Sequence, residues 1–450
     1  MSAPPRLALV NPWIADFAAA NLWSSPLGLW QVAEFLSPYT RDFAWIDCLA
    51  AVRPGVWGTG RYAKTQIAKP ALLADVPRRY SRYGISPDLF RERLQRALPL
   101  DAILVTSLMS YWYPGVQEAI RLCHEVAPQT PVILGGLYAR LNPEHAARTS
   151  GADAVYTEAV GEKLLDLLRT FGLDLDNRFS PERYFNLGLA SGQTYAPLLT
   201  STGCPYACAY CASPLLYPEH HRREPAEVLA EIHALHALGI TDLAFYDDAL
   251  LVDAPTHLEP LLEEYLRRPL PVRFHTPNGL HAAHLRRPTA EQMKKAGFKT
   301  VRLSLETVDA ARQQATGGKI TNPGFEQAVE HLKNAGYQGA EIGVYLMYGL
   351  ADQTWSEVIA GVDYLQRLKV RIHLAEYSPI PGTPMWKSWA ASGRLAADLD
   401  PLLTNNSVFT WKYAGYLPEE IATLKLKVKA HNQRLFWAGV NPAPTILIQT

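Results

Sequence analysis

The chain of 450 residues lacks the apolar run of about 20 residues that a membrane-spanning helix needs. It also lacks an excess of either charge, with 43 Lys and Arg against 43 Asp and Glu. A balanced charge argues against a dedicated nucleic-acid or membrane-surface binder, because both classes normally need a basic field. The N-terminus carries no charged segment followed by an apolar core, so we expect no secretory signal and a cytoplasmic location.

Cysteine is scarce as well, with five in the whole chain, and three of them, Cys204, Cys208 and Cys211, stand close together. We call residues 202–211 the cysteine loop; its spacing is C-x3-C-x2-C. In a long chain without a secretory signal, such clustering indicates metal binding rather than disulfides. The length predicts two or three domains.

The N-terminal third alternates between strand-like and helix-like patterns, which predicts a doubly wound, Rossmann-like parallel sheet over residues 1–173. The predicted strands are 6–11, 43–47, 101–107, 131–134 and 152–156. Ligands of such sheets bind at the carboxyl ends of the strands. For the arginine-rich segment 53–97 the sequence favours a solvated helical insertion, with an anion or partner patch as the alternative.

A second alternating series follows a polar connection over residues 174–194. It predicts a partial (β/α)6 barrel over residues 195–390 and a small C-terminal extension over residues 391–450. The predicted strands are 196–200, 242–246, 272–275, 300–305, 341–347 and 372–377. The fold class is therefore α/β. Active residues of such barrels lie at the carboxyl ends of the strands, and the cysteine loop follows the first of them.

Three thiolates from one loop suit a [4Fe–4S] cluster, because they leave one of its four irons without a protein ligand. A cluster that only carries electrons normally uses four cysteines. Zinc is the alternative, with His220 or His221 as the fourth ligand, although their spacing is unlike that of a zinc finger.

Residues 195–390 resemble the radical S-adenosylmethionine superfamily, on the C-x3-C-x2-C motif with Tyr210 directly before its last cysteine. The resemblance implies that the amino and carboxylate groups of S-adenosylmethionine chelate the open iron. Reduction of the cluster then breaks the sulfur–C5′ bond and gives a 5′-deoxyadenosyl radical that abstracts hydrogen from a substrate. It also implies an electron donor such as flavodoxin or ferredoxin.

The same resemblance implies an S-adenosylmethionine site at successive strand ends. Asp247 and Asp248 would contact the methionine amino group, since acidic acceptors suit an ammonium. The other implied contacts are Tyr210, Asn278, Ser304 and Glu306. Two alternatives stay open: Asp248 as a helix N-cap, and Glu306 in an ion pair with Arg302.

Residues 1 to about 172 resemble the cobalamin-binding domain that precedes the barrel in one branch of the superfamily. The implied corrin contacts are Thr106, Ser107, Gly135, Gly136 and Tyr138, with glycine favouring close backbone approach. The motif D-x-H-x-x-G, whose histidine ligates cobalt in many cobalamin domains, is absent. A vestigial domain that binds no corrin is the alternative.

The expected function is a cobalamin-dependent radical enzyme that methylates an unactivated centre of a small molecule or peptide. One alternative is a radical enzyme without cobalamin that catalyses a rearrangement, a cyclisation or a hydrogen abstraction. A non-catalytic zinc-binding module is an alternative of another class. The cofactors carry the chemistry in the expected function, and the sequence assigns no catalytic residue.

Overall fold

The computed structural model describes residues 4–40, 42–50, 52–57, 59–176 and 179–439. The chain divides into two compact units. The first comprises Met1–Tyr195 with Ala396–Val408, and the second Ala196–Leu395 with Phe409–Thr450. The predicted connection therefore groups with the first unit, and the predicted C-terminal extension is shared between the two.

The first unit alternates strands and helices along most of its length. Its strands are β1 (Arg6–Asn11), β2 (Ile14–Asp16), β3 (Asp42–Asp47), β4 (Val52–Pro54), β5 (Gly60–Tyr62), β6 (Lys64–Gln66), β7 (Ser81–Tyr83), β8 (Ala102–Val105), β9 (Val132–Leu134) and β10 (Ala154–Val155). Its helices are α1 (Leu27–Leu36), α2 (Pro87–Ala97), α3 (Tyr113–Val126), α4 (Leu137–Leu141), α5 (Pro143–Thr149) and α6 (Glu162–Thr170).

A five-stranded parallel sheet with the order β10–β9–β8–β1–β3 forms the centre of this unit. Leu7 on β1 lies opposite Phe43 on β3 and Ala102 on β8. Every residue of β8 is buried, as expected for an apolar interior strand of a parallel sheet covered on both faces. The predicted doubly wound sheet is confirmed.

The prediction of a helical insertion over residues 53–97 is wrong for most of that segment. Among the described residues of this segment, α2 is the one α-helix; β6 and β7 join β2 in an antiparallel sheet, and β4 pairs with β5. These strands are three residues long, so their alternation is too short to detect in the sequence. Arg82 lies 2.7 Å from Glu118, and Arg91 contacts Glu125 and Asp88, so part of the positive charge of the alternative anion or partner patch is neutralised.

The remaining strands are β11 (Tyr195–Leu198), β12 (Ser201–Thr202), β13 (His221–Arg222), β14 (Asp242–Phe245), β15 (Arg273–His275), β16 (Leu280–His281), β17 (Phe298–Glu306), β18 (Ile342–Tyr348) and β19 (Arg371–Glu376). The remaining helices are α7 (Ser213–Leu216), α8 (Pro225–Ala237), α9 (Leu258–Arg267), α10 (Arg287–Ala296), α11 (Ala310–Ala315), α12 (Asn322–Asn334), α13 (Trp355–Arg367), α14 (Pro384–Ala391), α15 (Asn406–Lys412) and α16 (Pro418–Gly439).

Six of these strands form one sheet in chain order, β11–β14–β15–β17–β18–β19, and short β16 also pairs with β17. The pairings from β14 to β19 are all parallel, with helices in the connections. The predicted partial (β/α)6 barrel is confirmed. Parallel order brings the carboxyl ends of the strands from β14 to β19 to one rim, which is where the sequence predicts the site. The amide of Tyr246, just beyond β14, donates to the carbonyl of Leu198 at the end of β11 at 2.8 Å.

Helix α16 covers the free edge of the last barrel strand. The side-chain amide of Asn432 donates to the carbonyl of Ile372 at 2.8 Å and accepts from its N–H at 2.9 Å. His431 donates to the carbonyl of Val370 at 2.8 Å. These bonds satisfy edge groups that would otherwise offer a template for another strand. No helix in the described ranges has the length and apolarity needed to cross a membrane.

Candidate functional site

The cysteine loop lies between β12 and α7, just beyond the carboxyl end of β11. Cys208 is buried, Cys204 and Cys211 are partly exposed, and all three are free thiols. The amide of Cys211 donates to the carbonyl of Cys208 at 3.0 Å, which folds the C-x2-C half into a turn. At Gly203, φ is +75°, and a Cβ would lie 2.2 Å from the carbonyl oxygen of Glu219. Only glycine fits at this position, because the backbone of Glu219 comes so close to the loop.

Asp247 fixes the chain just before the cysteine loop. Its Oδ1 accepts hydrogen bonds from the amides and hydroxyls of both Thr200 and Ser201, at 2.6–3.0 Å. Asp247 is 4 % exposed. Burial raises the pKa of its carboxyl, although the hydrogen bonds from these donors act to lower it. Both hydroxyls and both amides of Thr200 and Ser201 are thus bound to this carboxylate, which holds the start of the loop in place. The implied contact of Asp247 with the methionine amino group stays a prediction.

Asp248 is exposed and lies beside the cysteine sulfurs. Its Oδ2 accepts a hydrogen bond of 2.6 Å from the hydroxyl of Ser213. The helix-capping alternative does not apply, because the next helical turn begins only at Ala254. Burial, followed by weaker effects that include the Asp248 charge, raises the pKa of Cys204 to about 11 and also raises that of Cys211. Asp248 therefore adds negative charge next to thiols that already resist deprotonation.

Asn278 and Ser304 lie at neighbouring strand ends. The side-chain amide of Asn278 donates to the carbonyl of Tyr246 at 2.8 Å and so joins two rim loops. Ser304 faces Gly279, where a Cβ would lie 2.0 Å from the serine hydroxyl oxygen. The glycine therefore leaves room for this hydroxyl at the rim.

Glu306 ends β17 with φ +67°, a backbone conformation that residues other than glycine rarely adopt. Its carboxylate lies 3.0 Å from the ammonium of Lys319, which in turn lies 5.7 Å from the centre of the Tyr210 ring. Burial opposes the charge of Lys319, but Glu306 and nearby cysteine sulfurs leave its pKa raised overall. The predicted partner Arg302 instead donates to the hydroxyl of Tyr345 at 2.7 Å. Glu306 is in an ion pair, but with Lys319.

Sequence reasoning missed the segment that carries Lys319. At Gly317, φ is +137°, and a Cβ would lie 3.2 Å from the Cα of Cys208 and 3.3 Å from its sulfur. This segment therefore packs directly on the cysteine loop. Two adjacent glycines, Gly317 and Gly318, were the available signal, since such pairs mark turns and close backbone approach.

Sequence reasoning also missed two histidines beside the cysteine loop. Nε2 of His281 lies 3.8 Å from the sulfur of Cys204. The ring of Tyr206 stacks on His281 at 4.9 Å, and its hydroxyl lies 2.5 Å from Nε2 of His284. Burial, reinforced by Lys319 and His284, lowers the pKa of His281 to about 3. His281 is therefore a neutral imidazole at physiological pH.

The two histidines of the zinc alternative differ in their surroundings. Nε2 of His220 is buried and has no hydrogen-bond partner among the described residues. His221 is exposed and lies 2.9 Å from a carboxylate oxygen of Glu219. Within the ranges that the structure describes, no three His, Cys, Asp or Glu side chains are gathered as around one metal ion. A single zinc ion would draw its sulfur ligands to about 2.3 Å.

The predicted cobalamin residues lie where β8 and β9 end and α4 begins. The hydroxyl of Ser107 donates to the carbonyl of Gly135 at 2.7 Å and accepts from the amide of Tyr138 at 3.2 Å. At Gly136, φ is +89°, and a Cβ would lie 2.4 Å from the carbonyl oxygen of Ser107. Packing of the two loops on each other therefore already explains the requirement for Gly136.

Tyr138 is fully buried, with its hydroxyl 2.7 Å from Nδ1 of His145 and its ring stacked 5.8 Å from that of Tyr113. Burial raises the pKa of Tyr138 to about 12. A side chain held in this way supports the loop from within. Gly135 differs, because a Cβ there would meet its nearest neighbour, a carbonyl oxygen, only at 3.9 Å. Thr106 is 8 % exposed beside it.

The family model of the radical SAM superfamily matches residues 198–365. That stretch runs from the end of β11 into α13 and contains the cysteine loop. It also includes Asp248, Asn278, Ser304 and Glu306.

Curated proteins of similar sequence include methyltransferases. An uncharacterized methyltransferase of Pyrococcus horikoshii is 26% identical over 211 residues, which are 46% of this chain and 44% of that protein. The hopanoid C-2 methylase of Rhodopseudomonas palustris is 26% identical over 266 residues, 55% of this chain and 49% of that protein. The chain spans about half the length of these curated relatives.

Solved structures share the fold over most of the chain. The radical S-adenosylmethionine methyltransferase TsrM from Kitasatospora setae, with cobalamin and a [4Fe–4S] cluster bound, matches with a TM-score of 0.62 at 17% identity. The match covers 86% of this chain and 76% of TsrM. The cobalamin-dependent enzyme OxsB, with aqua-cobalamin bound, matches with a TM-score of 0.60 at 12% identity, over 87% of this chain and 61% of OxsB.

Proposed function

Because residues 198–365 form a radical S-adenosylmethionine domain, we propose that the protein is a cobalamin-dependent radical methyltransferase acting on a small molecule or peptide. One observation carries the proposal: a single loop at the rim of a partial barrel presents three free thiols. The methylases among the relatives and the fold shared with two cobalamin-binding enzymes support the methyl-transfer part.

Cys204, Cys208 and Cys211 would hold the [4Fe–4S] cluster. Burial raises the pKa of Cys204 and Cys211, so the loop alone does not favour thiolates, and their deprotonation needs cations such as iron. Three ligands for four irons leave one iron open to S-adenosylmethionine. When bound, the cluster supplies the electron that cleaves S-adenosylmethionine.

The chain's own residues orient that cosubstrate. Asp248 would accept hydrogen bonds from the methionine ammonium, because it is exposed beside the sulfurs while Asp247 is engaged by the loop. Asn278, Ser304 and Glu306 would present polar atoms at the adjacent strand ends. The ammonium of Lys319 balances the charge of the Glu306 carboxylate in a largely buried place.

The N-terminal unit would hold cobalamin over the carboxyl ends of β8 and β9. Gly135 and Thr106 would contact the corrin, since the backbone at Gly135 is open to close approach. Ser107, Gly136 and Tyr138 would shape the loop beneath it. We further propose a cytoplasmic enzyme that receives electrons from a flavodoxin or a ferredoxin.

Anaerobic reconstitution with iron, sulfide and hydroxocobalamin tests the proposal. We expect about four irons per chain and a corrin that survives desalting. With S-adenosylmethionine, a reductant and a substrate, both S-adenosylhomocysteine and 5′-deoxyadenosine should form, because one molecule donates the methyl group and another gives the radical. Iron with 5′-deoxyadenosine, but neither corrin nor S-adenosylhomocysteine, would instead identify a radical enzyme without cobalamin. One zinc and no iron would overturn both.

A further inference from the structure

We propose that His281 is a positioning residue for the cluster, donating a hydrogen bond from Nε2 to the sulfur of Cys204. This bond would raise the reduction potential of the cluster. The inference rests on the proposed function, because it requires a cluster on Cys204.

The fold holds the imidazole of His281 against the cysteine loop from two sides. His281 lies on β16, in register with Ser304 on β17, and is 6 % exposed. Its Nε2 lies 3.8 Å from the Cys204 sulfur, within the range of a hydrogen bond to sulfur. Tyr206, two residues after Cys204, stacks on the ring with planes 19° apart. Because His284 contacts the hydroxyl of Tyr206, the stacking ring is itself held in place.

The two ring nitrogens of His281 have unequal environments. A thiolate accepts hydrogen bonds but donates none, so a bond to Cys204 requires the proton on Nε2. Nδ1 is buried and has no hydrogen-bond partner among the described residues. A histidine retained only for packing normally has its buried nitrogens satisfied. In His281, Nε2 contacts the sulfur of Cys204, and Nδ1 has no partner among the described residues.

A hydrogen bond to a cluster thiolate changes the energy of reduction. The cluster takes up one electron from an external reductant and becomes more negative, so an N–H that points at its sulfur stabilises the reduced form more than the oxidised form. Hydrogen bonds to the sulfurs are among the factors that set iron–sulfur potentials. Removal of the donor should therefore make the cluster harder to reduce.

Three variants distinguish the effect of the His281 N–H on the reduction potential from the effect of ring packing. His281→Phe keeps a ring to stack on Tyr206 but has no donor, and His281→Gln keeps an N–H donor without the ring. His284→Phe disturbs the contact to Tyr206 but does not touch the sulfur. Redox titration of the reconstituted proteins with dithionite, followed by electron paramagnetic resonance, gives each potential. In His281→Phe we expect the reduction equilibrium constant to fall about tenfold, which for one electron is about 59 mV. His281→Gln and His284→Phe should stay near the wild-type value.

The other outcomes overturn the inference in distinguishable ways. Equal potentials in all four proteins, each with about four irons, would remove the role of His281 and leave the proposed function standing. Equal shifts in both His281 variants and in His284→Phe would show that packing, not the N–H, sets the potential. A wild-type protein that retains no iron would contradict the proposed function itself. If His281→Phe alone loses its iron, His281→Leu replaces it in the comparison with His281→Gln.

Discussion

The two predicted cofactor regions use their motif residues in opposite ways. At the cysteine loop, Cys204, Cys211 and Asp248 stay accessible, and the surrounding residues orient the loop. At the ends of β8 and β9, Ser107 and Tyr138 are buried and bonded to the loop's own backbone or to neighbouring side chains. Most motif side chains of the first region stay accessible, whereas most of those in the second build the loop.

This difference follows from the chemistry of the residue types. Three clustered thiols have few structural uses in a chain without disulfides, so their spacing alone indicates a metal. Serine and glycine serve turns and close packing as readily as they serve ligands. A glycine motif therefore needs its surroundings before a ligand can be assigned: a Cβ would clash with Ser107 at Gly136, whereas at Gly135 it would meet no close neighbour.

The largest effect should come from loss of a cluster ligand. Cys208→Ala removes one of three thiolates, so we expect less than about a hundredth of the wild-type S-adenosylmethionine cleavage, since loss of an outer-shell partner alone costs 10–100-fold at metal sites. Iron analysis and 5′-deoxyadenosine measurement check this. The matched control is Cys123→Ala in α3, a buried free thiol of the other unit, which should keep its iron. Full iron in Cys208→Ala would refute the assignment of the cluster.

Adjacent carboxylates allow the roles of orienting and binding to be separated. Asp247→Asn weakens several hydrogen bonds to Thr200 and Ser201, so we expect about 1–3 kcal/mol lower stability and poorer iron retention. Asp248→Asn should leave the thermal midpoint and the iron content unchanged but raise the KM for S-adenosylmethionine about tenfold. Identical behaviour of the two variants, by melting and by kinetics, would contradict the distinction drawn between them.

In the N-terminal unit, two adjacent glycines allow a structural role to be separated from a binding role in the same way. Gly136→Ala forces a side chain into a left-handed conformation against Ser107, and we expect about 2 kcal/mol lower stability by thermal unfolding. Gly135→Ala meets no close neighbour, so its stability should change by less than about 0.5 kcal/mol. It should nevertheless retain less hydroxocobalamin after desalting, because the added methyl would face the corrin. Unchanged corrin retention would place the cofactor elsewhere.

Both main sheets could be predicted from the sequence, because apolar strand segments alternate with helical segments at regular intervals. The insertion before α2 could not, since its strands have only three residues each and one pairing joins distant segments: Ser81 of β7 lies opposite Asp16 of β2. Local sequence patterns do not indicate which distant strands pair with each other.

The candidate site was predictable where chemistry depends on spacing and unpredictable where it depends on pairing. The spacing of the three cysteines indicated a metal without any structure. The predicted partner of Glu306 was wrong. Arg302 is nearer to Glu306 along the chain, but the ion pair forms with Lys319, which lies on the segment that packs on Cys208. His281 could not be linked to Cys204, 77 residues away, before the strand pairing was known.

The smallest effect should appear in the pH dependence of the barrel. Burial, reinforced by Arg302 and Arg371, lowers the pKa of His373 to about 3, compared with 6.5 for an ordinary histidine. Because the unfolded chain binds the proton more readily, the stability from neutral His373 is complete above about pH 6.5 and is lost as the pH falls towards 3. Between pH 6.5 and 5 the free energy of unfolding falls as the pH falls. In His373→Gln we expect the slope of this fall to be smaller by about 1 kcal/mol per pH unit.

Urea unfolding of the apoprotein at several pH values measures this slope, and hydrogen exchange assigns it to a region. At pH 5, peptides from β17–β19 should exchange faster in the wild type than in His373→Gln, while those from β8 and β9 should not differ. If β8 and β9 lost protection together with the barrel strands, the two units would unfold as one. The contrast between the two cofactor regions would then concern their chemistry and not their stability.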